Sequence, residues 1–403
     1  MPTSPTPKLS PQTRRTLIVM TLIAACGMMG VDIHLASMPH IMQDLHTDKP
    51  HMQQSVAMYL LGLAISILFY GPVSDKFGRK PVILFGLTLA SISSIASIYS
   101  QTIGFFLMTR LFQGLGAGVC NGLGRTVVAD LLQGERLAIT GSYFSMVVNI
   151  SPVIAPAIGG FVQHHLGWHA NFILLALILA LSALLFATFC DETNQSRDQH
   201  ALSLRHLFTN YAELLTHPVF MACTLLTGIA WATNTAYATT SAFILQMNFH
   251  LSALTYGWLT ALVGMGTFAG KLCSPMLIRH IGRLGSLQFS VCLISLAGIF
   301  LLATIALGQL GVGFLLGTVF FTLLAQAVIT PSALSYALDP FPGKRGIASA
   351  LYGSILMLIA FFSSAIIASF AHGGTMILAL AYVILGGSGI VVCRSLLAGR
   401  VPH

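Results

Sequence analysis

Asp32 is the only acid in AACGMMGVDIHLASMPHI (24–41), a stretch otherwise made of apolar, small and neutral residues. A carboxylate in such surroundings is a proton-exchanging group, because low dielectric favours the neutral acid and a nearby cation favours the ionised one. The candidate cation is Arg110, in the equally apolar run IGFFLMTRLFQGLGAG (103–118). Gln113 follows it by one helical turn as a hydrogen-bonding neighbour, and the titratable His34 follows Asp32 by two residues. A structural ion pair between Asp32 and Arg110 is the plain alternative. A buried pair is often no more stable than an apolar replacement, however, so stability alone is a poor reason for its presence. Asp32 and Arg110 are therefore assigned to proton coupling. His34, Tyr59, Gln113, Asn149, Asn234 and Tyr237 are candidates for lining a substrate cavity. Any single polar residue inside a span is more often a helix–helix hydrogen bond than a ligand contact.

These residues sit in a chain that composition assigns to a bilayer. Of 403 residues 55% are hydrophobic and 7% charged, against about 25% charged in an ordinary soluble domain. Crossing the hydrocarbon takes about 20 apolar residues. Twelve such runs are present, near 16–38, 52–71, 82–99, 103–126, 136–162, 168–190, 218–243, 252–276, 286–307, 310–336, 346–371 and 374–396. The first run is too long for a signal peptide and lacks a small-residue cleavage site, so it is expected to span. Counted along ideal helices, Asp32 lies about 24 Å from the inner end of span one and Arg110 about 10 Å from the outer end of span four. Similar depths result, at a cost of roughly 2.5–3.5 kcal/mol or more for each charge facing lipid, so both should face inward. Arg125 and Lys271 lie nearer the inner side, where long side chains snorkel.

The net charge of +8 is a matter of topology. Fourteen basic residues, from Lys8 to Arg400, fall in one set of loops and only Lys49 in the other. That bias makes the basic side, and both termini, cytoplasmic; lipid headgroups suffice as the anionic partner and nucleic acid is not implied. The seven cysteines show no metal-ligand spacing, and the outer-side histidines His40, His46 and His51 match no ligand motif. No metal site, cofactor or nucleotide-binding loop is expected, which argues against an ATP-driven pump, and no catalytic constellation suggests an enzyme.

The longest polar interval, 191–217, separates two sets of six runs. The expected organisation is a tail (1–15), a six-helix bundle (16–190), a cytoplasmic linker with part of an amphipathic helix (191–217), a second six-helix bundle (218–396) and a tail (397–403). Gly78-Arg79 recurs as Gly282-Arg283 at an offset near 204 residues, a trace of the internal symmetry that encloses a midplane site in transporters.

GPVSDKFGRKP (71–81) resembles the loop-two signature of the major facilitator superfamily, and RLFQGLGAG (110–118) resembles its fourth-helix pattern with a buried arginine. SPVIAPAIGG (151–160) resembles the fifth-helix motif of antiporters. VDIHLASMP (31–39) and GWHANF (167–172) narrow the resemblance to drug/proton antiporters of the bicyclomycin-resistance (Bcr/CflA) type. The resemblance implies an all-α membrane protein of twelve helices in two pseudo-symmetric bundles. It also implies a conformational latch of Gly71, Asp75, Gly78, Arg79 and Asp130. Gly71 and Gly78 would permit tight turns, Pro72 and Pro81 would mark helix boundaries, Asp75 would cap a helix of the other half and Arg79 would pair with Asp130. Pro152, Pro156, Gly159 and Gly160 would bend the fifth helix and limit leakage. The chain departs from the branch at His34 and Ala36, where an aromatic and a proline are usual, and at Ala129, where a basic residue is usual.

The expected activity is proton-driven export of small organic molecules across a bacterial inner membrane, for which a monomer suffices. Alternatives are a dedicated exporter of one metabolite, such as a carboxylate siderophore or an amino acid, and a membrane sensor that transports nothing.

Overall fold

The computed structural model describes residues 10–394 except 195, 196, 198 and 200–203, without the side chains at 121, 135, 138, 142, 149 and 204–208. The end of the molecule that carries the basic loops is termed inner, the opposite end outer. The first crossing consists of α1 (Pro11–Asp32), a 3₁₀ turn (Leu35–Ser37) and α2 (Met38–Asp44). It is followed by α3 (Lys49–Phe77), α4 (Arg79–Ile98), α5 (Ile103–Leu131), α6 (Gly134–Leu166) and α7 (Trp168–Phe189). The short α8 (Leu204–Thr216) lies in the linker. The second half holds α9 (Pro218–Phe243) with a terminal π turn (Ile244–Asn248), α10 (Ala253–Ala306), α11 (Val312–Leu338), α12 (Arg345–Ser369) and α13 (Gly374–Val392).

Among the described residues, eleven helical stretches are long and apolar enough to cross a membrane. The longest, α10, breaks at Gly282 (φ 72°, ψ 173°) into two limbs, which makes twelve crossings. Helix starts follow local chemistry: the side chains of Ser10, Asp48, Thr102 and Ser252 each accept a hydrogen bond from the backbone N–H three residues on, satisfying donors that a first turn leaves free.

Hydrocarbon supplies no hydrophobic drive to bring helices together, so close contact depends on small residues. A Cβ on Gly114 would collide with the backbone of Tyr59, one on Gly62 with the carbonyl of Leu111, and one on Gly116 with the backbone of Gly86 and Ala90. These glycines let α3, α4 and α5 touch backbone to backbone. The two halves meet along a seam formed by α3 against α12 and α6 against α10. Ser354 donates to the Ala64 carbonyl at 2.9 Å across it. Large apolar side chains such as Phe85, Leu177, Leu272 and Ile384 cover the outside, where lipid makes them favourable.

Two expected boundaries are corrected. Gly71 and Pro72 do not end a helix: α3 runs through them to Phe77, and Gly71 has open space where a Cβ would stand. A proline removes the hydrogen bond to the carbonyl four residues back. That carbonyl, on Leu68, is instead reached by the Tyr211 hydroxyl of the linker helix α8 at 3.3 Å. The first crossing, expected as one helix over 16–38, is broken just after Asp32.

Gly114→Val is expected to destabilise the protein by about 1–3 kcal/mol through overpacking. Gly104→Val, at a site with nothing within 4 Å, should be nearly neutral. Unfolding midpoints in detergent compare the two, and equal midpoints would contradict this packing.

Candidate functional site

The break after Asp32 has a local cause in Pro39, the second residue of α2. Without an N–H it cannot bond the Leu35 carbonyl, and its ring crowds that position. The chain tightens into a 3₁₀ turn, with Ser37 N–H bonding the His34 carbonyl at 2.9 Å. Irregular backbone at membrane depth survives only where protein groups satisfy it, and here they do. The Tyr59 hydroxyl donates to Gly27 O at 3.2 Å and Arg110 Nη2 to Gly30 O at 3.0 Å. Asn171 Nδ2 bridges Ser37 Oγ at 2.9 Å and Gly159 O at 3.1 Å. Trp168 Nε1 donates to the Asp44 carboxylate at 2.6 Å, fixing the end of α2.

Arg110 is fully buried and organises the centre of this cluster. Its Nη1 donates to Gln113 Oε1, and Gln113 Nε2 in turn donates to Ser94 Oγ at 2.5 Å. The guanidinium lies over the Tyr59 ring at 4.5 Å. Nη2 also contacts His34 Nδ1 at 3.4 Å, while His34 Nε2 faces Ser55 Oγ at 3.4 Å.

Three residues expected to line the cavity are thereby corrected. His34, Tyr59 and Gln113 are at most 1% exposed and hold Arg110 inside the first half of the molecule. Tyr237 is also enclosed, its hydroxyl 3.4 Å from Thr260 Oγ1. Asn234 is partly exposed, and the side chain of Asn149 lies outside the described residues. The direct Asp32–Arg110 contact is absent too: no ion pair within 4.0 Å joins them. Asp32 is partly exposed, and among the described residues no side chain donates a hydrogen bond to its carboxylate. It remains within Coulombic reach of Arg110 and Tyr59, and of Tyr256 across the seam. The arrangement is a lone carboxylate at the end of a broken helix, beside a fixed positive charge that is occupied elsewhere.

The fifth-helix motif supports the same break. Pro152 and Pro156 lie inside α6. A Cβ on Gly159 would strike the Ile33 carbonyl, and one on Gly160 the Ala253 carbonyl of α10. At the outer end the two halves touch. Gln246, in the π turn after α9, donates to the Ala36 carbonyl at 2.9 Å, and Lys49 Nζ lies 5.5 Å from the Phe243 ring.

At the inner end, Gly78 (φ 104°) separates α3 from α4. Arg79 Nε lies 3.1 Å from Asp130 Oδ2 and Arg79 Nη1 lies 2.5 Å from Asp75 Oδ1. The expected role of Asp75 is corrected, since it pairs with Arg79 one turn along and, among the described residues, caps no helix of the other half. The capping acid is Glu192, after α7, whose carboxylate accepts from Arg79 N–H at 2.8 Å and Lys80 N–H at 3.0 Å at the start of α4. No local pattern marks Glu192, because the helix it caps is more than a hundred residues away. The second half repeats the device: Arg283, after Gly282, bonds Asp339 at 3.2 Å and Ser335 at 3.1 Å. Asp339 is the counterpart of Asp130 that the short motif comparison did not reveal.

The Major Facilitator Superfamily profile matches residues 20–364, so the chain belongs to this family of membrane transporters. It is similar to Multidrug resistance protein D of Escherichia coli, 27% identical over 387 residues and covering 96% of both chains. It is 24% identical over 367 residues to the Bicyclomycin resistance protein homolog of Haemophilus influenzae, covering 89% of this chain and 90% of that one. These relatives agree with the drug-antiporter branch read from the helix motifs. Among solved structures, a crystal structure of a D-xylose–proton symporter shares the fold with a TM-score of 0.76 at 16% identity, covering 96% of this chain and 98% of that one. The xylose transporter XylE of E. coli, in a partially occluded inward-open conformation, gives 0.74 at 14% identity, covering 97% and 98%.

Gln113→Leu strands a guanidinium N–H in the core and should cost about 1–3 kcal/mol. Thermal unfolding of the purified variant measures it; an unchanged midpoint would mean that Gln113 does not hold Arg110.

Proposed function

We propose that this transporter exports small organic molecules in exchange for protons, with Asp32 as the group for which proton and cargo compete. The observation that carries the reading is the partly exposed, unpaired Asp32 carboxylate, placed at a helix break where the two halves meet. A cationic group on the cargo would be held by the ionised form and released when a proton neutralises it. Arg110 stays charged at any usable pH and, fixed by Gln113, His34 and Gly30, biases Asp32 from a distance without quenching it. The names of the relatives, multidrug and bicyclomycin resistance, support the same class of cargo.

In this reading Arg79, Asp75, Asp130 and Gly78 form a latch, reinforced by Glu192, that braces the inner end of the first half while the halves rock. Its counterpart is the outer contact of Gln246 with Ala36, which must part when the outer side opens. The bundle boundaries 16–190 and 218–396, joined by the 191–217 linker, define the rocking bodies. The bias of the basic loops supports a cytoplasmic inner end and cytoplasmic termini in a bacterial cell, and in this reading one chain carries out the cycle.

Asp32→Asn should abolish export driven by a pH gradient in proteoliposomes while leaving insertion and folding in place. Gradient-driven export by that variant at the wild-type rate would exclude the role.

A further inference from the structure

The acid Asp32 and the cation Arg110 lie within their spans, and two further cations, Arg125 and Lys271, lie nearer the inner end. Arg110 is tied into the cluster around the first-crossing break. The other two have neither an acid within ion-pairing distance nor a hydrogen-bonding acceptor among the described residues.

Their positions are not those of lipid-anchored side chains. On α5, Gly114 and Gly118 pack on Tyr59 and Ser66 of α3, whereas Gly122, one turn further in, has open space where a Cβ would stand. Arg125 follows on that opening face and is exposed. On the first limb of α10, Gly257 and Gly264 face Pro156 and Val153 of α6 across the seam. Lys271 continues that stripe at the same seven-residue step and so points toward the other half. The two cations, one from each half, lie within Coulombic reach of each other. Arg125 is fifteen residues from Arg110 along α5, about 22 Å further in. Two like charges facing each other at the inner end of the seam repel unless something anionic visits them.

We infer that Arg125 and Lys271 form an anion-collecting station at the inner mouth of the seam, and that the cargo is zwitterionic, carrying a carboxylate as well as an amine. The inference rests on the transport reading and specifies its substrate class. The carboxylate is drawn to the cation pair from the inner side, and the amine then reaches Asp32, where it competes with a proton. A purely anionic cargo would bind better beside a protonated Asp32, which has the wrong sign for exchange against protons. A purely cationic cargo would be repelled at the mouth. The 22 Å interval means that a small molecule visits the two stations in succession.

Two measurements on the full-length chain test this. The first reads the local potential whatever the cargo: Ala129→Cys, an exposed position one turn from Arg125, is reacted with anionic and cationic methanethiosulfonates. Rates are normalised to a free thiol and corrected with the chain lacking the added cysteine. The anionic reagent should be favoured, and the preference should fall about fivefold in Arg125→Gln/Lys271→Gln, with a smaller fall at high salt. An unchanged ratio overturns the station. The second is gradient-free counterflow in phosphatidylcholine vesicles with norfloxacin, which carries a carboxylate and an amine, and with its methyl ester. Wild type should exchange the acid severalfold faster than the ester, and the double variant should lose that advantage. An ester moved as fast as the acid by wild type overturns the cargo class. Loss of the preference on adding phosphatidylglycerol would assign the cations to lipid headgroups and overturn it as well. The methanethiosulfonate ratio is read without any transport, so it tests the station separately from proton coupling at Asp32.

Discussion

Hydrocarbon solvates neither a charge nor a free peptide group, and the functional centre of this protein is organised around that constraint. A helix interrupted at membrane depth presents carbonyls that only other protein groups can satisfy. Arg110 supplies a donor to the Gly30 carbonyl beside the break, while Tyr59 and Asn171 bond the flanking Gly27 carbonyl and Ser37 hydroxyl, so polar residues of three other helices surround the break. Arg110 gains acceptors for both of its Nη atoms, and the backbone gains a donor. Each would be costly to keep without the other, which explains why a guanidinium without an ion-pair partner is tolerated in the core.

The same segment connects Asp32, the proposed proton site, to the seam between halves. Asp32 ends the first helix, and Ala36, four residues on, receives Gln246 from the second half. Between them Ile33 presses its carbonyl against Gly159 of α6, next to Gly160, which presses against α10. Asp32 therefore lies within about one turn of the outer contact between the halves. At the inner end, Arg79 with its acids and Glu192 make the α3–α4 corner rigid, and Arg283 with Asp339 does the same in the second half. Rigid corners and a glycine-lined seam suit two bodies that move as units.

Much of this was legible in the sequence, for physical reasons. Twelve spans followed from run length, and two related halves from the recurrence of Gly-Arg at 78–79 and 282–283. Arg110 and Gln113 were legible as neighbours because one helical turn separates them. What local pattern does not carry is orientation. His34, Tyr59 and Gln113 look like cavity residues by type, yet the turn after Asp32 and the helix phase direct them onto Arg110. The helix that runs on through Pro72 was hidden because the hydroxyl meeting its free carbonyl comes from Tyr211, far along the chain. The break after Asp32 was signalled only by Pro39, which composition alone does not distinguish from a proline closing a span.

Infrared difference spectroscopy of the purified transporter between acidic and alkaline pH tests the central claim most directly. The account predicts a protonated-carboxyl stretching band, shifted by its apolar surroundings, that disappears as pH rises and is missing in the Asp32→Asn chain. A spectrum in which Asp32 is ionised throughout, so that wild type and Asp32→Asn give the same bands, would contradict it.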